Sequence, residues 1–159
     1  MREKIRSRET GTRTDRGSRR VAVDISGRHE REGRYLMVCA AVSVDLTSDS
    51  VDEVNEIEYS VVDTPKKPGF DVVVDAVSGT VGKMSDDTST VVAEEGEFYN
   101  KPDWVVEGAL GLRRGRSFKY IETISERKAV GIAHHAAYGG RKLLIEYTDS
   151  NTKNERPKG

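Results

Sequence analysis

Asp24 stands inside the short apolar segment Val21-Ala22-Val23-Asp24-Ile25, ahead of the turn residues Ser26-Gly27 and the long apolar run Tyr35 to Val44. An ionised carboxylate in a buried strand is costly unless it is paired or holds a cation. Asp24 therefore either caps something structural or helps to build a metal site. Further along, Asp71 and Asp75 fall one turn apart on a common side of a stretch with helical period; an acid in the first turn of a helix also serves simply by meeting the helix dipole. Glu94 and Glu95 close the apolar string Val91-Val92-Ala93. Successive strand residues point to opposite faces, so only one of that pair can serve one site. His134 and His135 are attractive as ligands, but adjacent helical residues diverge by about 100° and do not share one ion easily. Arg113, Arg114 and Arg116 sit in a glycine-bounded turn, suited to phosphate contacts or to a solvated loop. Ser26 and Cys39 have no base placed by spacing to activate them.

The elements that must position these groups follow from periodicity. Val21–Ile25 reads as a first strand. Arg28–Arg34 is a charged turn with Gly27 and Gly33 as breakers. Tyr35–Val44, almost continuously apolar and rich in β-branched residues, reads as a strand buried on both faces. Residues 45–53 are polar enough for a loop, and the alternation in residues 57–61 marks a third strand with one wetter face, stopped by Pro65 and Pro68. From Phe70 the apolar residues Val73, Val74, Val77, Val81 and Met84 follow a helical period. A fourth strand over 91–95 ends in acid. Pro102 opens a short helix to Leu110, with Trp104 and Val105 as its expected core contacts. Phe118–Glu122 gives a fifth strand. Ser125 is the expected N-cap of a last helix to about Tyr138, stopped by Gly139-Gly140. Arg141–Tyr147 either resumes that helix or forms another strand.

The chain has 159 residues, 33% of them charged and 35% hydrophobic, which bounds it to one domain with a real core. No apolar run is long enough to span a membrane. The basic N-terminus lacks the apolar stretch of a secretory signal. Cys39 is the one cysteine and reads as a small buried hydrophobe, fitting a reducing, cytoplasmic setting. Residues 1–20 carry eight Lys/Arg against Glu3, Glu9 and Asp15, a surplus of five, so the remaining chain holds −6 of the total −1. That polar stretch is expected to be a disordered basic arm, competent for phosphate backbones but without an aromatic for base stacking. The body is expected to cover 21–147, with a polar tail over 148–159.

The order β-β-β-α-β-α-β-α, with an Asp in the first strand, resembles the ribonuclease H-like fold of ribonuclease H, RuvC-type resolvases and related nucleases over roughly residues 20–146. The string VAVDISGRHEREGRYLMVCAAVSVD also resembles an uncharacterised archaeal protein family. The first resemblance implies an α/β fold with a mixed five-stranded sheet, its first three strands antiparallel, flanked by helices. It implies carboxylates converging on two Mg²⁺ or Mn²⁺ ions, one generating the attacking hydroxide and the other stabilising the leaving oxygen of a phosphodiester. By that resemblance Asp24 is the first-strand ligand. Asp71 is the helix ligand, with Asp75 as fallback, and Glu94 is the fourth-strand ligand. The last helix departs from the pattern: Val130 stands where the family carries its final carboxylate, leaving Glu126 or His134 as substitutes.

The expectation is a two-metal nuclease using Asp24, Asp71, Glu94 and Glu126 or His134, with phosphate contacts from the arm and the Arg113–Arg116 turn. The missing final carboxylate favours an alternative: a non-catalytic ribonuclease H-like module that binds nucleic acid or a protein partner.

Overall fold

The computed structural model describes the backbone of residues 18–155 and the side chains of residues 18–150. The basic arm expected over 1–20 thus lies mostly outside the described residues. Its last two arginines belong to the first strand, β1 (Arg19–Ser26), where Arg19 pairs with Asp45 at 2.6 Å. The charged turn after β1 leads into β2 (Tyr35–Leu46), and a tight turn closed by Thr47 N–H donating to the Ser50 carbonyl leads into β3 (Val51–Thr64). The loop expected over 45–53 is therefore mostly strand, and β3 is longer than its alternating centre indicated.

β1, β2 and β3 form an antiparallel meander. Helix α1 (Phe70–Gly82) carries the chain back to β4 (Thr90–Ala93), which pairs with β1 in parallel. A 3-10 turn (Glu95–Phe98) and α2 (Asp103–Leu110) connect to β5 (Phe118–Tyr120), parallel to β4. The strand order is β3-β2-β1-β4-β5, so the first strand of the chain is the middle of a mixed sheet. Long helix α3 (Ile124–Glu155) ends the described chain.

The two-residue period of β1 divides the core. Val21, Val23 and Ile25 join Met37, Cys39 and Ala41 under α1, with Phe98 and Phe118 packed edge to face beside them. Ala22 joins Val42, Val44 and Val92 on the opposite face, against Ala129, Val130 and Ala133 of α3. Three small side chains in that layer let α3 lie close to the sheet, and each fully buried valine contributes roughly 1.5–3 kcal/mol. Asp24 shares the parity of Ala22, so its side chain is on the α3 side.

Three local expectations are corrected. Trp104 is 74% exposed; α2 buries Val106 and Leu110 instead, and Trp104 lies two residues before Val106, about 200° around the helix. β4 ends at Ala93, because Glu94 leaves the ladder and Glu95 enters the 3-10 turn. Gly139-Gly140 does not stop α3, and the polar segment from Thr148 continues it to Glu155. A Cβ at position 140 would lie 3.2 Å from the Tyr59 ring. Helix packing on β3, rather than a chain stop, thus accounts for glycine there. No helix among the described residues is long and apolar enough to cross a membrane.

Candidate functional site

The register of the two central parallel strands places the site. Arg20, Val21 and Ala22 of β1 stand opposite Thr90, Val91 and Val92 of β4. Continuing that register by two residues brings Asp24 level with Glu94, where both strands are ending. In open α/β sheets, ligands gather beyond the carboxyl ends of such strands. A cavity of about 680 Å³ lies there, lined by Asp24, Arg28, Glu94, Gly96, Glu97, Tyr99, Arg127, Val130, Gly131 and His134. Arg127, Val130, Gly131 and His134 recur at helical spacing, so one stripe of α3 forms one wall.

Asp24 is only 7% exposed, and its Oδ2 lies 3.1 Å from His134 Nδ1. Burial pushes the Asp24 carboxyl above its usual range, opposed by the His134 hydrogen bond and charge. The His134 side chain itself is 58% exposed, so the pair spans from the protein interior to the pocket. His134 stacks on Tyr138, with ring centroids 6.5 Å apart.

Glu97 is the residue that the sequence reading missed. It is 8% exposed; its Oε2 accepts from the Ile25 N–H at 3.1 Å and from Arg28 Nη2 at 2.5 Å. Arg28 also donates to the Glu97 carbonyl at 2.7 Å and lies over the Tyr99 ring. Tyr99 adopts a left-handed backbone, φ 56°, and its hydroxyl donates to the Pro68 carbonyl at 2.9 Å. Burial pushes the Glu97 carboxyl up to about 7; the Arg28 charge opposes this and neighbouring Asp24 adds to it. The only signal in the sequence was Gly96, which marks a turn able to fold the next acid back under the strand ends.

The other expected residues are placed as follows. Glu94 lines the pocket, 3.7 Å from Arg127. Glu95 is exposed on the 3-10 turn. Glu126 is 1% exposed but is not part of the pocket lining. Its Oε1 accepts from the Glu122 and Thr123 N–H groups at 2.9 and 3.2 Å, and the Glu126 N–H donates to Thr123 Oγ1 at 3.1 Å. That is a capping box, with Thr123 rather than Ser125 as the cap. The other carboxyl oxygen takes Arg20 at 3.0 Å and Lys119 at 2.9 Å. Asp71 is exposed in the first turn of α1 and does not line the pocket; Asp75 borders a separate hollow with Ser60 and Val62. His135 is exposed beside His134 and does not line the pocket. Arg113 pairs with Asp87. Arg116 is buried and donates to the Ser89 and Asp86 carbonyls at 2.7 and 3.3 Å. Arg114 lines a smaller hollow beside that turn.

Among the described residues, no group of three or more His, Cys, Asp and Glu side chains is arranged to hold a metal ion. Asp24 is engaged by His134, Glu97 by Arg28 and a backbone N–H, and Glu94 by Arg127. The donor set in this arrangement does not fit a two-ion centre. It does fit proton transfer: a buried carboxylate orients an exposed imidazole, beside a second carboxyl that keeps its proton to near neutrality.

The chain is similar to uncharacterized protein MJ0095 of Methanocaldococcus jannaschii, with 32% identity over 126 residues that cover 79% of this chain and 96% of the relative. A family profile described as "uncharacterized protein conserved in archaea", DUF2209, matches residues 21–145, from the start of the apolar part of β1 into the last helix. The match takes in all of the sheet but Arg19 and Arg20 of β1, and every residue that lines the Asp24 pocket, and the chain belongs to that archaeal family.

Proposed function

We propose that this chain is a ribonuclease H-like module that binds the sugar-phosphate backbone of nucleic acid at the Asp24 pocket. The fold assignment is supported by the element order, the antiparallel first three strands, and an acid near the end of the central strand. The observation that carries the binding reading is the presence of two guanidinium groups, Arg28 and Arg127, in a pocket that opens beyond the ends of β1 and β4. Arginine meets phosphate oxygens in fixed fork geometry, and such contacts position a strand without reading its sequence. The body's charge of −6 opposes a polyanion at longer range. Binding is therefore localised at the pocket and weakens steeply with salt.

Fluorescence anisotropy with labelled single strands, duplexes and RNA–DNA hybrids tests this at low and moderate salt. Arg127 is a suitable probe because its side chain is 68% exposed, so Arg127→Glu leaves the core intact. The expected result is binding by the wild type and at least a tenfold loss in the variant. Absence of binding at low salt to every probe overturns the proposal.

A second reading, a Mg²⁺- or Mn²⁺-dependent nuclease, is favoured by the alignment of Asp24 with Glu94 at adjacent strand ends. It requires His134 and Arg127 to give up their present carboxylate partners. Mn²⁺-dependent cleavage that Asp24→Asn abolishes, together with a Mn²⁺-induced rise in melting temperature, would establish it.

A further inference from the structure

We propose that Asp24, His134 and Glu97 form a metal-independent acid–base site that cleaves RNA by internal transesterification. The inference rests on the reading that the pocket binds nucleic acid. Its geometric basis is a chain of three side chains that all line one cavity. His134 Nδ1 lies 3.1 Å from Asp24 Oδ2, and a carboxylate there selects the tautomer with the proton on Nδ1, which leaves Nε2 of a half-exposed ring to act as the base. This is the arrangement of an imidazole base with a buried carboxylate as its orienting partner. Glu97 lines the same cavity as Asp24 and His134, so the base and the acid face one space.

The substrate class follows from the base that the site presents, an imidazole oriented by a carboxylate. Water attacking a phosphodiester needs strong activation, which metal ions ordinarily supply. RNA carries its own nucleophile next to phosphorus, and such intramolecular placement is worth effective molarities of about 10⁵–10⁸ M. An imidazole base therefore suffices for RNA where it would not for DNA. In the step, the 2′-oxygen bonds to phosphorus as its proton passes to His134 Nε2. The bond from phosphorus to the 5′-oxygen breaks, and that oxygen takes the proton of the neutral Glu97 carboxyl. The products are a 2′,3′-cyclic phosphate and a free 5′-hydroxyl, and no oxidant or cofactor is consumed. Arg127 and Arg28 line the same cavity and would meet the phosphoryl oxygens as they gain charge.

The test uses one labelled RNA, the same sequence as DNA, and a DNA strand with a single ribonucleotide, all in excess EDTA. The expected result is cleavage of the RNA and of the single ribonucleotide linkage, leaving cyclic phosphate ends, with the DNA intact. His134→Ala, prepared identically, should lose at least 100-fold in rate, keep its RNA affinity, and recover activity with added imidazole. Asp24→Asn and Glu97→Gln should each lower the rate while keeping affinity. RNA binding by the wild type without metal-free cleavage overturns this inference and leaves the binding reading standing. Absence of RNA binding overturns both. Cleavage of DNA at the same rate, cleavage that appears only with Mn²⁺, or full activity in His134→Ala also overturns it.

Discussion

Replacing Glu126 with alanine separates a structural carboxylate from a catalytic one. Its two oxygens accept four hydrogen bonds, from the N–H groups of Glu122 and Thr123 and from Arg20 and Lys119. Alanine removes the capping box, worth about 1 kcal/mol, and leaves Arg20 without its carboxylate, while Lys119 keeps Glu122 at 2.7 Å. Breaking a buried pair from one side costs about 3–5 kcal/mol. The Arg20 and Lys119 side chains are 22% and 26% exposed and can regain some water, which puts the total near the low end, about 3 kcal/mol. For a domain of this size that lowers the melting temperature by roughly 6–12 °C. Glu126→Gln keeps an oxygen for the backbone N–H groups and should cost about half as much. The loss should also depend on pH. Burial raises the Glu126 pKa, but hydrogen bonds from Lys119, the Glu122 N–H and Arg20 outweigh burial and hold it below the usual glutamate range. Its contribution is therefore fully present above that usual range and disappears as pH falls through the lowered value. Urea denaturation of wild type, Glu126→Gln and Glu126→Ala at neutral and acid pH would measure this. A loss below 1 kcal/mol for alanine at neutral pH, or a gap that does not shrink in acid, would refute the reasoning.

Glu97 should behave in the opposite sense. Because its carboxyl is raised to about 7, its contribution is present below the ordinary glutamate range and is lost as pH rises towards 7; the wild type should lose stability relative to Glu97→Gln across that window in denaturant titrations. Gly27→Ala should destabilise by about 1–3 kcal/mol or more, since φ is 104° and a Cβ would collide with the Leu36 carbonyl and the Arg141 side chain; thermal unfolding measures it. Cys39 is 1% exposed and burial pushes its thiol up to about 12, so thiol reagents should label it only as fast as the domain unfolds.

Much of the frame was legible because the period of the apolar residues reports burial directly. The run from Tyr35 to Val44 suits a strand covered on both sides, and the spacing Phe70, Val73, Val74, Val77 marks a helix that its valines and Gly79 leave to tertiary packing to hold. Asp24 was legible as an anomaly in an apolar strand. Glu97 was not, because its burial depends on a 3-10 turn after β4 that no period announces. Glu126 caps a helix rather than holding an ion: Thr123-x-x-Glu126 spells a capping box, and the neighbouring Ser125 imitates its first residue. Gly139-Gly140 misled because a stop signal and a close helix-sheet contact use the same residue, and only the position of Tyr59 distinguishes them.

The central place of β1 has a consequence for how the molecule is made. Synthesis delivers the N-terminal part first, and β1 finds its β2 neighbour almost at once. Its other neighbour, β4, comes much later, and the helix that covers Ala22 and Val92 comes later still. A chain stalled before Ile124 presents a bare apolar sheet face to the cell, a natural target for chaperones or proteases. Asp24 waits just as long, since His134 follows it by 110 residues. The nascent chain therefore cannot assemble the pair until 110 further residues have been translated.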